Sequence, residues 1–280
     1  CISMIISVLT ENTAISESFA CEHGFCLYIE TTRHKILFDM GKSAVFAKNA
    51  EQLGIDLSQV DIAFLSHGHY DHGGGIETFL SLNDSAPIYA RPGAFDPHFS
   101  VKEGGRIEYI GLESSLRETG RFLFADEDIV IDEELQIFAR PSGLELVPTA
   151  NATLLIKKGS RYIEDDFDHE QNLLISEQGV TLLIAGCAHR GIVNIMEEAR
   201  KIMGTYPMYV IGGFHLSSPS LNKPEDPAVV REVGRYLEQT GSMYYTGHCT
   251  GMESYRQLKE RLEKNMNYAA AGSVIQIIQT

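Results

Sequence analysis

Residues 65–74 read Leu-Ser-His-Gly-His-Tyr-Asp-His-Gly-Gly, and this stretch decides the fold. The β-branched and apolar run before it, residues 60–65, predicts a buried strand. The ligand-type side chains of the stretch are His67, His69, Asp71 and His72. The two histidines of His-Gly-His are two positions apart on an extended segment and point to one face, whereas the Asp-His pair follows a turn and points elsewhere. Nitrogen and oxygen ligands at this density predict a loop that binds one or two metal ions.

Length and composition exclude several classes of protein. The 280 residues are 44% hydrophobic and 22% charged, which is typical of a globular chain. A net charge of −15 argues against nucleic acid as a partner, because phosphate binding needs a basic surface. No apolar run approaches the roughly 18 residues that would cross a membrane. We therefore expect a small-molecule substrate, no nucleic-acid or membrane partner, and an undetermined oligomeric state.

The cysteines and the start of the chain predict a cytoplasmic protein. The five cysteines are scattered and odd in number, which is unlike a disulfide framework. Residues 1–8 alternate like a first strand and lack the basic segment and cleavage site of a signal peptide.

The His-x-His-x-Asp-His string resembles the signature of the metallo-β-lactamase superfamily, a group of mostly hydrolytic metalloenzymes. Three later strings occur in the expected order: Gly-Cys-Ala-His-Arg-Gly from 186, Gly-Gly-Phe-His-Leu from 212, and Gly-His-Cys-Thr-Gly from 247. Together they are similar to the metal-dependent hydrolases of β-lactamase superfamily II. That subfamily includes archaeal enzymes that join a dihydropterin to an aminobenzene ribosyl phosphate. The resemblance implies an α+β fold, the αββα sandwich, in which two mixed sheets are flanked by helices.

The order of apolar patterns agrees with such a sandwich. The strongest helical patterns cover 42–53, 73–83, 191–203, 226–239 and 252–264. Glycines and prolines interrupt short strand-like pieces between 93 and 150. We expect residues 1–280 to form a single domain with an inserted lid at about 93–150.

The resemblance also assigns ligands beyond the loop. Many relatives carry an Asp that bridges two metals after a strand and a glycine, and this chain has Cys187 there, either a zinc-binding thiolate or a buried apolar residue. His189, two residues on, is predicted to complete the first metal's ligands, with His169 as the competing candidate. The acidic run around His169 is interpreted as solvated. His248 matches the superfamily's last metal histidine, and completes the second metal's ligands with Asp71 and His72.

Other polar residues are given supporting or catalytic roles. Asp39 ends a strand and is predicted to hold the metal loop, with capping of the next helix as the alternative. His215 is interpreted as an acid that faces the substrate, and Asp71 as a ligand that can also act as a base. His34 and His98 are interpreted as surface residues, and His23 as a weak candidate for the pocket.

The sequence therefore predicts a metal-dependent hydrolase of a small ester- or phosphate-bearing molecule. The cofactor is a divalent transition metal, one or two ions, with zinc expected and iron, manganese or nickel open. One alternative is a pterin-type condensing transferase, which would need a cationic phosphate clamp from residues such as Arg190, Lys42 or Arg91. The other is a metal-binding protein without enzymatic activity.

Overall fold

Two seven-stranded sheets pack face to face in the structure, a computed structural model that describes residues 2–279. In spatial order, the first sheet contains β20 (Val274–Ile278), β1 (Ile2–Thr10), β2 (Cys26–Glu30), β3 (Lys35–Phe38), β4 (Ile62–Phe64), β5 (Ile88–Ala90) and β8 (Phe122–Phe124). The second contains β19 (Met266–Tyr268), β18 (Met243–Thr246), β15 (Tyr209–Gly212), β14 (Val180–Ile184), β13 (Gln171–Glu177), β10 (Leu135–Ala139) and β9 (Ile129–Val130).

Helices and a smaller sheet complete the molecule. The helices are α1 (Val45–Gln52), α2 (Tyr70–Gly73), α3 (Ile76–Leu82), α4 (Ile192–Met203), α5 (Pro227–Thr240) and α6 (Met252–Leu262). The smaller sheet has the order β12 (Arg161–Glu164), β11 (Leu154–Lys158), β6 (His98–Val101) and β7 (Ile107–Tyr109). A two-stranded ribbon joins β16 (Ser217–Ser218) to β17 (Lys223–Pro224).

Alternate side chains of a strand point to opposite faces of its sheet, and this explains how the sheets and helices form layers. In β14, Leu182 and Ile184 face the apolar cluster between the two sheets, while Leu183 faces a second cluster under α4, α5 and α6. Both faces of this strand are buried, so its sequence is continuously apolar. A third cluster lies between the first sheet and the helices α1 and α3. The predicted α+β sandwich, with helices outside two mixed sheets, is confirmed.

The polar loops meet because the strands before them are parallel. β3, β4 and β5 run parallel in the first sheet, and β14, β15 and β18 in the second. Carboxyl ends of parallel strands lie at one edge of a sheet, which is where such sheets bind ligands. The loops after β3, β4, β14, β15 and β18 carry Asp39, His67, His189, His215 and His248.

Secondary structure largely follows the sequence patterns. Each of the five predicted helices is present with ends that differ by a few residues. Residues 93–150, the expected lid, contribute to three different sheets: β6 and β7 to the smaller one, β8 to the first and β9 and β10 to the second. The assignment of this region as a lid and of residues 1–280 as a single domain remain predictions. No helix within residues 2–279 is long and apolar enough to cross a membrane.

Candidate metal centre

Three histidines converge at the edge where the two sheets meet. Ligand atoms of His67, His69 and His189 lie within 4.8 Å of one another, and all three residues are buried. The Nε2 atom of each ring is buried and has no hydrogen-bond partner among the described residues. Buried nitrogen atoms are nearly always paired, so three unpaired ones in one place fit the ligand set of a cation. We call this group the three-histidine cluster.

Hydrogen bonds fix the tautomers of two of these rings. Ser66 donates its hydroxyl to Asp39 Oδ2 at 2.7 Å, so its oxygen is free to accept from His67 Nδ1 at 2.8 Å. Asn151 donates its amide to the carbonyl of His189, and its oxygen accepts from His189 Nδ1 at 3.1 Å. With Nδ1 as the donor, each neutral ring keeps its lone pair on Nε2, the form that a metal requires.

A second group lies beside the first and contains Asp71, His72, Cys187 and His248; we call it the mixed cluster. His72 Nε2 is 3.0 Å from Cys187 Sγ, 3.1 Å from His248 Nε2 and 3.5 Å from Asp71 Oδ2. Asp71 Oδ2 is 2.9 Å from His248 Nε2. Ligand atoms around a tetrahedral zinc ion are roughly 3.3–3.7 Å apart, given bonds of about 2.0–2.3 Å. The donor set therefore fits a transition metal, while three of the four distances, at 2.9–3.1 Å, are shorter than this spacing.

The rings of the mixed cluster are also held by their other nitrogen. His72 Nδ1 is 2.6 Å from Asp39 Oδ2, and His248 Nδ1 is 2.7 Å from Asn12 Oδ1. Both partners are acceptors, so each ring donates through Nδ1 and, when neutral, directs the lone pair of Nε2 towards the other ring. A shared cation, either a metal ion or a proton, removes that repulsion.

The electrostatics of the two clusters differ. Burial, with the neighbouring imidazoles, holds the pKa of His67, His69 and His189 well below the usual value, so these rings stay neutral. Burial opposes charge on His72 as well, but Asp71 and Asp39 outweigh it and raise the pKa of His72 to about 10. A positive charge is therefore favoured within the mixed cluster.

Both clusters open into one cavity of about 50 Å³. Its lining includes His69 and His189 from the first cluster and Asp71 and Cys187 from the second. His215 also lines it, with both ring nitrogens buried and unpartnered among the described residues, and its ring centroid is 4.3 Å from that of His189. His23 reaches the cavity and approaches Asp71 Oδ2 to 3.3 Å.

His169 lies outside the three-histidine cluster. Its Nδ1 accepts the N–H of Gly68 at 2.9 Å, so the neutral ring carries its proton on Nε2, which faces Asp165 at 3.0 Å. Its one lone pair is thereby occupied. The acidic run around it is solvated only in part, because Glu164 and Asp166 are exposed whereas Asp165 and Glu170 are buried. The interpretation was wrong for these two buried carboxylates, which are paired with ring and backbone N–H groups that composition does not reveal.

Other sequence interpretations need correction. His98 is fully buried rather than a surface residue, and its Nδ1 donates to the Gly68 carbonyl at 3.0 Å. His34 is half-buried and bonded to Asp61 and Asp132. Of the cations proposed as a phosphate clamp, Arg91 and Arg190 bind protein carbonyls instead, and none of Arg91, Arg190 and Lys42 lines the cavity.

Sequence reasoning missed several residues that support the ligands. Asn12 and Asn151 orient His248 and His189, and the buried Glu11 and Glu170 accept the backbone N–H groups of the same two residues at 2.6 and 2.7 Å. Lys102, also missed, is the single lysine or arginine among the described residues that line the cavity. No local motif marks them, since each is far in sequence from its partner.

Comparison with known proteins gives consistent matches. A family profile described as the metallo-beta-lactamase superfamily matches residues 20–154. An uncharacterised protein of Methanocaldococcus jannaschii is 29% identical and covers 98% of this chain and 100% of its own. The 7,8-dihydropterin-6-methyl-4-(beta-D-ribofuranosyl)-aminobenzene-5'-phosphate synthase of that organism is 25% identical over 97% of this chain and 95% of its own.

Among solved structures, Tm1679 is described as a metal-dependent hydrolase of the beta-lactamase superfamily. It superposes with a TM-score of 0.82 at 28% identity, and the match covers 99% of this chain and 100% of that chain.

Proposed function

This chain belongs to the metallo-β-lactamase superfamily, and from that premise we propose that it is a metal-dependent hydrolase of a small ester- or phosphate-bearing molecule. The observation that carries the proposal is the three-histidine cluster. Its three Nε2 atoms are buried without partners among the described residues, and two of the three rings, His69 and His189, line that cavity. Three protein ligands and an open position are typical of catalytic zinc sites, whereas closed four-ligand sites are structural.

His67, His69 and His189 would hold one metal, and Asp71, His72, Cys187 and His248 a second. Zinc suits this nitrogen, oxygen and thiolate set, with iron, manganese or nickel as further candidates. A divalent metal held there supplies Lewis-acid polarisation of the substrate and a nucleophile at neutral pH. Cys187 stands where the superfamily has a bridging carboxylate.

The chain's own groups would do the rest of the chemistry. His215 faces the cavity with two free ring nitrogens, and so can donate a proton to the leaving oxygen. Burial opposes ionisation of Asp71, but the charge of His72 and bonds to histidines hold its pKa well below the usual value. A weakly basic carboxylate serves better as a ligand than as a base. Lys102 can bind an anionic part of the substrate.

A transferase of the pterin type is the second candidate. Its support is the likeness to the M. jannaschii synthase along nearly the whole chain. Against it, the cations expected to clamp a phosphate lie away from the cavity, which leaves Lys102 alone for that role.

A cytoplasmic location belongs to the proposal and is supported by Cys21, Cys26, Cys187 and Cys249, the described cysteines, all of which are free.

The test loads metal-free protein separately with zinc, manganese, iron or nickel. Each form is assayed on p-nitrophenyl acetate and bis(p-nitrophenyl) phosphate, and for the pterin condensation product. We expect metal-dependent ester or phosphodiester hydrolysis. His189→Ala should lose one metal equivalent and more than about 100-fold in kcat/KM, beyond the cost of removing an outer contact.

His34→Ala is the control, because this histidine is bonded to Asp61 and Asp132, which belong to neither cluster. Lys102→Ala should raise KM for the phosphodiester and leave KM for the neutral ester unchanged. Condensation without hydrolysis would favour the transferase. Full metal content in His189→Ala would contradict the ligand assignment.

A further inference from the structure

The two peptide groups that flank the Gly68 Cα, between the proposed ligands His67 and His69, are each bound by a buried histidine. His169 Nδ1 accepts the N–H of Gly68 at 2.9 Å, and His98 Nδ1 donates to the Gly68 carbonyl at 3.0 Å. The two rings stack with centroids 4.0 Å apart and planes inclined by 24°. The His67–Gly68 and Gly68–His69 peptide groups are thus held by imidazoles of opposite tautomer.

Asp165 sets one of these tautomers. Its Oδ2 lies 3.0 Å from His169 Nε2, and its Oδ1 accepts the N–H of Phe167 at 2.8 Å. A carboxylate only accepts, so it keeps the proton of the neutral His169 ring on Nε2 and leaves Nδ1 as an acceptor for Gly68. His98 must carry its proton on Nδ1, because the Gly68 carbonyl is itself an acceptor.

The space around Gly68 is too small for any side chain. A Cβ atom at this position would lie 1.9 Å from the carbonyl oxygen of Ala94 and 2.9 Å from the His98 ring. The Gly68 Cα therefore packs against the Ala94 backbone and the His98 ring without room for a side chain. A change in the φ or ψ angle of Gly68 would turn the two flanking peptide groups relative to each other and alter the separation of His67 and His69.

Metal ligation by His169 itself is the competing explanation, since His69, Asp165 and His169 also offer ligand atoms within 4.8 Å of one another. The hydrogen bonds oppose it. With the lone pair of His169 bound to Gly68 N–H and its proton bound to Asp165, ligation would require loss of one of these bonds.

We propose that His98, His169 and Asp165 form a clamp that positions the two peptide groups flanking Gly68 and so fixes the separation of the ligands His67 and His69. The three act as positioning residues for the metal centre, and this role rests on the proposed metal-dependent function. It assigns to His169 a function different from that of a third metal histidine.

The test compares His169→Ala, His169→Asn and His169→Gln in the full chain. An asparagine Oδ1 can take the place of Nδ1 and accept the Gly68 N–H, whereas a glutamine places its polar atoms near Nε2. Metal equivalents are measured at saturation with zinc, affinity by competition with a chromophoric chelator, and ligand geometry from the visible spectrum of the cobalt form. His34→Ala is again the control.

We expect all three variants to keep the wild-type number of metal equivalents. Affinity should fall about 10–100-fold in His169→Ala and His169→Gln, as for other residues that orient ligands, and recover in His169→Asn. Loss of a metal equivalent in His169→Asn as well as in His169→Ala would show that His169 is a ligand. Unchanged affinity in His169→Ala would also overturn the clamp.

A metal-free readout separates the clamp from the proposed function. Amide hydrogen exchange of the peptide containing Gly68 should accelerate in metal-free His169→Ala and not in His169→Asn. Equal exchange in both variants and wild type would refute the clamp, even if the wild-type protein hydrolyses substrates. A wild-type protein that binds no metal would refute the proposed function and leave this exchange result interpretable.

Discussion

Asp39 is the residue on which both metal clusters depend. Its Oδ1 accepts the N–H of Ser66 at 2.7 Å, and its Oδ2 accepts from the Ser66 hydroxyl and from His72 Nδ1. Through Ser66 it orients His67, and directly it orients His72. The alternative that Asp39 caps the next helix fails, because the residue before α1 is Ala44 and no side chain caps it.

We predict that Asp39→Asn lowers metal affinity about 10–100-fold, because the amide cannot accept from both Ser66 and His72 as the carboxylate does. Competition with a chromophoric chelator measures the change. Asp61→Asn is the control, since Asp61 also accepts from a histidine, His34, but lies outside both clusters. Equal affinities of Asp39→Asn and wild type would contradict the role.

At the scale of single residues, the sequence predicts the functional residues that form a dense motif. It misses those whose partners are far away in the sequence. The ligands around His67 share one loop, so their chemistry is visible as a pattern. His98 and His169 become partners of Gly68 only in the folded chain, and the charged neighbours of His169 resemble a surface. Burial of such groups depends on pairing over long sequence separations, which a local pattern does not encode.

At the scale of elements, each ligand-bearing loop is anchored by one buried carboxylate. Asp39 accepts the N–H of Ser66, Glu170 accepts those of His189 and Arg190 at 2.7 and 3.0 Å, and Glu11 accepts that of His248 at 2.6 Å. Ala188 and His248 have φ near +50°, a conformation that non-glycine residues rarely adopt. The carboxylates stabilise these turns at the ends of parallel strands.

Replacement of Glu170 by Gln should loosen the loop that carries His189. A glutamine has one acceptor oxygen, so its amide group would face one of the two backbone N–H groups and leave it unpaired, at a cost of about 1–3 kcal/mol. We expect the free energy of unfolding to fall by that amount in urea titrations, and metal affinity to fall at least about 10-fold.

Glu177→Gln is the matched control for that loop. Glu177 is also buried and accepts a backbone N–H, that of Thr32 at 2.7 Å, but Thr32 carries no ligand. Because Glu177 Oε2 has no partner among the described residues, a glutamine oxygen can still accept the Thr32 N–H, and Glu177→Gln should keep both stability and metal affinity. Equal metal affinities in the two variants would show that Glu170 stabilises the fold and does not position His189.

The elements missed by sequence patterns have physical explanations. β6 places His98 and Ser100 inward and Phe99 outward, the reverse of the usual apolar-inside alternation. β12 is exposed at the sheet edge and has charged residues at both ends. The long amphipathic helices were predicted well because one face of each packs on a sheet, which imposes a regular apolar spacing.

At the scale of the whole molecule, an acidic surface surrounds an interior that is rich in neutral histidine. The net charge is −15, yet the pKa values of His67, His69, His98 and His189 are all lowered, first by burial. For His98, burial and the nearby His169 lower the pKa to about 3. The folded chain therefore binds fewer protons than the unfolded chain in mild acid.

This difference predicts how the stability of the metal-free protein depends on pH. As pH falls from about 6.5, the unfolded histidines take up protons and the buried ones do not, so each lowers the free energy of unfolding by about 1.4 kcal/mol per pH unit. His72, whose pKa is raised to about 10, contributes its full stabilisation below pH 6.5 and leaves this slope unchanged. The aspartates with lowered pKa values, Asp71 and Asp165, titrate only at lower pH.

His98→Asn isolates one histidine of this set, because asparagine does not titrate and its amide can still donate to the Gly68 carbonyl. Urea unfolding of chelator-treated protein at pH 6.5, 5.5 and 4.5, roughly spanning the window between the unfolded pKa and about 3, gives the slopes. Wild type should lose stability more steeply than His98→Asn, by about 1.4 kcal/mol per pH unit. Parallel slopes would mean that His98 takes up its proton in the folded chain, against the burial and neighbouring His169 that hold its pKa low.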